Sequence, residues 1–502
     1  MPPDRATALR LLLVALLATP VISAPLATQE SNNSINWGKC LPGVSKSPRT
    51  QCGVLPVPIN WEEPGGEKFN LGMIRVLRPA NTTAERLGCL FINPGGPGAS
   101  TTRPIIEIAG TPQIGPEFLD SFDFIGVDPR GVGMSNPVRC NASIYNERVS
   151  LFPKTKEEYE RMLDKYKRLG ESCLEQTGDL VNYMDTVSAT KDHEAVRIAL
   201  GEEKISWLGL SYGTQLGAQY AQLFPDSIRT MVLDSMLQHS LSEASNILIE
   251  TTAYANELET FFEWANTNER SVLKGRDVKQ LWQDLVRNAT GKPLPVPDCT
   301  YCHKDVTADE IRLNAQGLLT SQSWQARNGF ATYLKEASEG SPRGLSTKLL
   351  SLDQDPDTIF GLSSTYAGLA VGCQDWSASV SSFEEFQAKM RMAEIYAPLT
   401  RGASHTWLMQ AACIGWPTPL NNPPAKLNVQ TKDPILIVSA TGDPITSYVW
   451  AVGMLEEIKN HFLLTRNGSG HVSWGIKGDT SDTMERFLLT KELPAPGTVL
   501  DS

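Results

Sequence analysis

Histidine is scarce in this chain, with 6 among 502 residues. Chemistry that needs an imidazole therefore has few positions to draw on. Long apolar runs are scarcer still: past the first two dozen residues, no stretch approaches the roughly 20 uninterrupted apolar residues of a membrane-crossing helix. No membrane partner is expected. Positive charge is also in short supply. Lys and Arg number 45 against 56 Asp and Glu, for a net charge of -11. That balance disfavours nucleic acid and anionic lipid surfaces as partners and favours a cationic substrate group, such as a peptide amine.

What is present begins with an arginine-bearing start, the apolar run Leu11 to Leu17, and then Thr-Pro-Val-Ile-Ser-Ala up to Ala24. This is the layout of a secretory signal peptide over residues 1–24, and it implies an extracellular, secreted protein. Asn-x-Ser/Thr sites at Asn32, Asn81, Asn141, Asn288 and Asn467 fit that route. The first four are the expected glycan carriers, since a sugar on Asn467 would crowd nearby residues of interest. Nine cysteines in an oxidising compartment imply disulfides and one thiol left over. The expected bridges are Cys40–Cys52, Cys140–Cys173, Cys299–Cys302 and Cys373–Cys413, with Cys89, inside the apolar run Leu87 to Ile92, unpaired. Cys299-Thr-Tyr-Cys302-His303 also has the form of a c-type haem attachment site, but one short match in this context reads better as a local disulfide.

The most informative stretch is Ile205-Ser-Trp-Leu-Gly-Leu-Ser-Tyr-Gly-Thr-Gln215. An apolar run meets Gly-x-Ser-x-Gly at Gly209, Ser211 and Gly213, the form of a strand–turn–helix nucleophile elbow. A free serine hydroxyl is a weak nucleophile, so Ser211 needs a base, a carboxylate behind it and donors for an oxyanion. Upstream, a strand ends in Asn93-Pro-Gly-Gly-Pro-Gly-Ala-Ser100. Its glycines allow close backbone approach, so the expected oxyanion donors are Gly95, Gly96 and the residue after the nucleophile, Tyr212. Downstream, two apolar strands end in Gly442-Asp443-Pro444 and in Asn-Gly-Ser-Gly-His471. The order Ser211, Asp443, His471 is the one the α/β-hydrolase fold uses. The other five histidines fit less well: His193 falls in a predicted helix, His239, His303 and His405 in an insertion, and His461 at the start of a strand.

Strands and helices alternate from Leu90 to Asp234 and again after Pro434, which predicts an α/β fold with a mostly parallel sheet and helices on both faces. Between the two halves the pattern is helical and irregular. The expected organisation is signal peptide 1–24, first part of the core 25–239, a large helical lid insertion 240–424, and second part of the core 425–502. The stripe Tyr254, Leu258, Phe261, Phe262 and Ala265 is expected to pack inside the lid. Asp128 and Arg130, in Asp128-Pro-Arg-Gly-Val-Gly-Met-Ser135, are expected to pair and hold their loop.

With these motifs together, the chain resembles secreted α/β-hydrolases similar to tripeptidyl aminopeptidases, a serine peptidase family related to prolyl aminopeptidases. Besides the stretches already quoted, the marks are Cys373-x-Asp375-Trp376, Cys413-x-x-Trp416-Pro417 and Leu493-Pro-Ala-Pro-Gly-Thr-Val499. The resemblance covers nearly all of the mature chain. It maps the family's serine, aspartate and histidine onto Ser211, Asp443 and His471. It implies release of short peptides from free N-termini with no metal or organic cofactor. Asp375 and Glu250 in the lid are the candidate anchors for the substrate amine. One departure is Asp443-Pro-Ile-Thr-Ser447, where the family pattern resembles D-P-x-T-P. Two other readings stay open: an esterase or other hydrolase of small acyl substrates, and a binding protein that keeps the fold without its chemistry.

Overall fold

Short β-rich runs punctuated by glycine and proline order themselves into one ten-stranded sheet. In the computed structural model the described residues are 34–501, apart from 41–43, 46, 109–113, 351–358 and 379. The expected signal segment 1–24 and Asn32 lie outside them. The strands are β1 (Asn36–Gly38), β2 (Thr50–Pro58), β3 (Lys68–Val76), β4 (Cys89–Asn93), β5 (Asp123–Val127), β6 (Ile205–Leu210), β7 (Ile228–Asp234), β8 (Leu294–Pro295), β9 (Asp305–Val306), β10 (Ile435–Gly442), β11 (His461–Ser469) and β12 (Val499–Leu500). Their order across the sheet is β1-β2-β3-β5-β4-β6-β7-β10-β11-β12, while β8 and β9 pair separately. The pairings that join β1, β2, β3 and β5 are antiparallel; from β5 to β12 all are parallel. This is the α/β-hydrolase fold.

The central strands are apolar throughout because both faces are covered, and alternate residues sort into two cores. Phe91, Trp207, Met231, Leu233 and Ile437 point to one side, where they join Leu216 and Tyr220 of the helix Tyr212–Leu223. Leu90, Ile92, Leu208, Val232, Leu436 and Val438 point to the other, against Ile105, Phe118, Met484 and Phe487. A third core belongs to the insertion between β7 and β10. There Tyr254, Leu258, Phe261, Phe262 and Ala265 of the helix Glu243–Thr267 pack with Trp282 and Phe330, so the aromatic stripe is core.

The insertion does not stand alone over the sheet. The segment between β5 and β6, which the sequence assigns to the first part of the core, also packs against it. Trp407 Nε1 donates to Leu151 O at 3.0 Å, and the rings of Tyr159 and Phe386 lie 5.3 Å apart. The cap over the site thus has two sources in the chain.

The structure contains the bridges Cys40–Cys52, Cys140–Cys173, Cys299–Cys302 and Cys373–Cys413, and Cys89 is a buried free thiol. Asn81, Asn141 and Asn288 are exposed. Among the described residues no helix is long and apolar enough to cross a membrane. One expected pairing is overturned. Asp128 accepts from Thr101 N at 2.7 Å and Met134 N at 2.9 Å, whereas the fully buried Arg130 forks onto Asp192 at 2.7 and 2.8 Å. The carboxylate found donors in the Ser100–Thr102 segment and at Met134, and the guanidinium found a carboxylate whose two oxygens match its geometry.

Phe261 stacks 4.4 Å from Phe330 in the insertion core. Replacing it with alanine is expected to destabilise the protein by about 3–5 kcal/mol, read as an earlier urea midpoint at unchanged slope.

Candidate active site

Ser211 follows β6 with φ 56 and ψ -126, a conformation that L-residues rarely hold unless their surroundings enforce it. Two glycines make the turn sterically feasible. A Cβ on Gly209 would lie 2.2 Å from Gly213 O, and one on Gly213 would lie 2.4 Å from Asn93 O. Ser211 N donates to Asp234 O at 3.0 Å, and Thr214 N and Oγ1 both donate to Ser211 O, at 2.8 and 2.6 Å. The side chain is left at the turn, 9% exposed.

The neighbouring glycine loop contributes differently from expectation. Gly95 N–H donates to Asn93 Oδ1 at 2.9 Å, so it is not free for an oxyanion. Gly95 matters because a Cβ there would sit 2.5 Å from Leu210 O and 2.8 Å from Tyr212 N. It lets the loop lie against the elbow. The N–H groups of Gly96 and of Tyr212, the first residue of the following helix, accept no such commitment among the described residues. They are the candidates left for the donor pair.

The loops after β10 and β11 bring Asp443 and His471 together. His471 Nδ1 lies 2.8 Å from Asp443 Oδ2 and 3.1 Å from Oδ1. The Nδ1–H tautomer that this contact selects leaves Nε2 as the acceptor. The imidazole hydrogen bonds among the described residues go to Asp443 and Thr446, and none joins it to Ser211 Oγ. Burial pushes the Asp443 carboxyl up, but the charge and hydrogen bond of His471, together with donation from Ile445 N, Thr446 N and Thr446 Oγ1, bring it below the usual carboxylate range. For His471, burial lowers the pKa, and the fields of Asp443, Asp234 and Glu250 outweigh it and raise the pKa above the ordinary imidazole value.

Several supporting residues carried no readable sequence signal. Ser235 Oγ donates to Asp443 Oδ2 at 2.9 Å and accepts from Val472 N at 2.8 Å, tying the aspartate loop to the histidine loop. Arg466, fully buried, donates to Ser473 Oγ, Ser469 O and Gly470 O at 2.8–2.9 Å and so clamps the histidine loop from below. His471 N donates to Thr320 O of the insertion at 2.8 Å. Thr446 was the legible one: an aspartate whose oxygen takes the N–H groups two and three residues on makes a local turn, and Asp443-Pro-Ile-Thr446 has the spacing for it.

Ser211 opens on a cavity of about 50 Å³ lined by Gly96, Leu237, Glu250, Trp376, Ile445 and Trp450, among others. Gly96, Pro97, His405 and Met409 line both it and a larger cavity of about 730 Å³. Glu250 reaches the smaller one, although it is 1% exposed. Its oxygens accept from Gln316 Nε2 at 2.9 Å and Thr406 N at 2.7 Å, and burial pushes its carboxyl up to about 7.

Asp375 is not with it, which overturns its place as an amine anchor. It is fully buried beneath the helix that starts at Tyr212, accepting from Thr186 N and Asn422 Nδ2 at 3.0 Å, Gln215 Nε2 at 3.0 Å and the Thr186 hydroxyl. Burial pushes it up to about 7, and all its contacts are internal. The sequence places Asp375 in the lid insertion; here the chain threads that segment under the elbow helix, within reach of Gln215.

Residues 398–500 match the family described as TAP-like protein. The chain is similar to a tripeptidyl aminopeptidase of Streptomyces lividans, 26% identical over 93% of this chain and 87% of the relative. It is similar to serine protease Hip1 of Mycobacterium tuberculosis, 26% identical over 92% of this chain and 90% of the relative. It is also similar to carboxylesterase B of Mycobacterium tuberculosis, 28% identical over 87% and 84%.

Followed by ring NMR, His471 is expected to titrate above the ordinary imidazole value. In Asp443→Asn it should titrate below the wild-type value, because burial then acts against a weaker opposing field.

Proposed function

We propose that this chain, an α/β-hydrolase-fold enzyme similar to tripeptidyl aminopeptidases, is a secreted serine exopeptidase that releases short peptides from free N-termini. The observation that carries the reading is the His471–Asp443 contact at 2.8 Å, formed above the same sheet edge at which the elbow presents Ser211. In this mechanism His471 Nε2 takes the Ser211 proton as Oγ attacks the acyl carbonyl. The N–H groups of Gly96 and Tyr212 receive the developing oxyanion. Asp443 holds the tautomer and stabilises the imidazolium, which returns a proton to the leaving amine; water then cleaves the acyl-enzyme by the same route. The N-terminal apolar segment, four disulfides and exposed sequons support passage through a secretory route and glycosylation.

Glu250 is the remaining amine contact. An ammonium in the smaller cavity would meet a carboxyl whose pKa of about 7 that cation would lower, so binding and ionisation support one another. A second reading, hydrolysis of small acyl esters, is favoured by the apolar wall of Leu237, Trp376, Ile445 and Trp450 and by the carboxylesterase among the relatives.

A panel of tripeptidyl and aminoacyl anilides, with free and acetylated amines, is to be compared with short acyl esters by kcat/KM. Free-amine tripeptidyl anilides are expected to lead; a lead by esters or blocked peptides defeats the exopeptidase reading. Ser211→Ala should lose on the order of 10⁶ in kcat. Glu250→Gln should raise KM for free-amine substrates by about 10–100-fold and change KM for acetylated ones much less. Because neutral His471 is the base, the acid limb of kcat/KM should lie above the ordinary imidazole pKa, with activity appearing as pH rises through it.

A further inference from the structure

The larger cavity beside Ser211 holds an amine without a partner. Lys165, on the helix Lys156–Thr177, is 7% exposed and lines that cavity. Its Nζ lies 5.1 Å from the ring centre of Tyr166 and 5.6 Å from that of Tyr145, and it makes no hydrogen bond or ion pair among the described residues. A buried ammonium normally has a counter-ion or loses its proton. Burial does pull this one down, to about 8, which leaves it charged at neutral pH.

The carboxylates that line the same cavity are already matched with other groups. Glu147 takes both Arg168 Nη groups, at 3.0 and 2.7 Å. Glu310 takes Arg148 at 3.0 Å and Thr307 N at 2.9 Å. Asp309 pairs with Arg312 at 3.2 Å. A protein with net charge -11 therefore keeps an unmatched cation at the wall of a 730 Å³ space, between two tyrosine rings. The loop carrying the free Gly96 N–H borders that space as well as the Ser211 pocket, so the cavity of the serine and the cavity of the amine share a wall.

We propose that Lys165 binds a carboxylate of the substrate, with the substrate chain lying in the larger cavity while its scissile carbonyl rests at Ser211. This deepens the peptidase reading and rests on it. A short peptide offers such a group as its C-terminus or as an acidic side chain, and both chemistries fit an ammonium flanked by aromatic faces. A neutral ester of similar size offers neither.

The test uses the full chain carrying Ser211→Ala and measures binding of three tetrapeptide probes by calorimetry: a neutral peptide with a free C-terminal carboxylate, its C-terminal amide, and an amide with one acidic side chain. The free acid should bind about 10-fold or more tightly than the neutral amide. Adding Lys165→Gln should erase that margin without changing affinity for the neutral amide, and Lys165→Arg should restore part of it. Recovery of affinity by the third probe would identify a side-chain carboxylate as an accepted source. Equal affinity for all three probes in protein with native Lys165 overturns the proposal and does not depend on how the Lys165 variants fold. So does an acid preference that survives Lys165→Gln. Fluorophosphonate labelling of Ser211 in the wild-type chain is read in parallel: its failure defeats the hydrolytic reading and leaves the binding comparison intact.

Discussion

The backbone at Ser211 is the constraint on which the rest depends. A non-glycine residue held at φ 56 costs on the order of 1–3 kcal/mol, and the neighbours are chosen so that no alternative geometry relieves it. Gly209 and Gly213 touch across the turn, Asn93 O fills the space that a side chain on Gly213 would need, and Gly95 passes against the elbow where any Cβ would collide. The strand register of β4 against β6, with Asn93 opposite Gly209, is what delivers that loop to the serine. Parallel pairing, apolar strands and glycine spacing are therefore one arrangement seen at three scales.

Around the turn, charge is organised with the same economy of position. Asp443, Asp234 and Glu250 all raise His471, and each comes from a different part of the chain. Arg466 faces Asp234, Asp443 and Glu257 while holding the loop that carries the imidazole, and its own pKa is lowered by burial despite these three acids. Glu250 joins the insertion to the Asp443 loop through Gln316, whose Nε2 donates to Glu250 and to Pro444 O at 2.9 and 2.8 Å. A shift of the insertion would consequently be felt at the Asp443 turn. With Thr320 O bound to His471 N, the cap is wired to both loops that the pair Asp443–His471 sits on.

What could be read in the sequence follows from locality. Short continuous apolar runs, the glycines of the elbow, and an aspartate and a histidine each placed just after a strand are signals contained within a dozen residues. They located the sheet, Ser211, Asp443 and His471. The partners of Asp128 and Arg130 were misread because the choice between a neighbour two residues away and Asp192, 62 positions distant, is made by the fold. Ser235 and Arg466 look like any strand-end serine and strand arginine; their importance is only that Val472 and Gly470 pass by them. The Gly95 donor failed for a subtler reason. The same open backbone that lets a glycine N–H face a ligand also lets a side-chain oxygen two residues earlier reach it first.

Asp375 and Glu250 show why an acidic residue's sequence position says so little about its task. Both are buried carboxyls pushed up to about 7 by burial, and both are surrounded by donors. The difference is what lies on the open side. Asp375 is enclosed by Thr186, Gln215 and Asn422, so it fixes the helix that starts at Tyr212, and a substrate cannot reach it. Glu250 has the Ser211 cavity on one side. A perturbed carboxyl becomes a recognition group only where a cavity gives its charged form something to gain. By that criterion the matched acids of the larger cavity are framework, and Lys165, a buried and unmatched amine on its wall, has interaction still to offer.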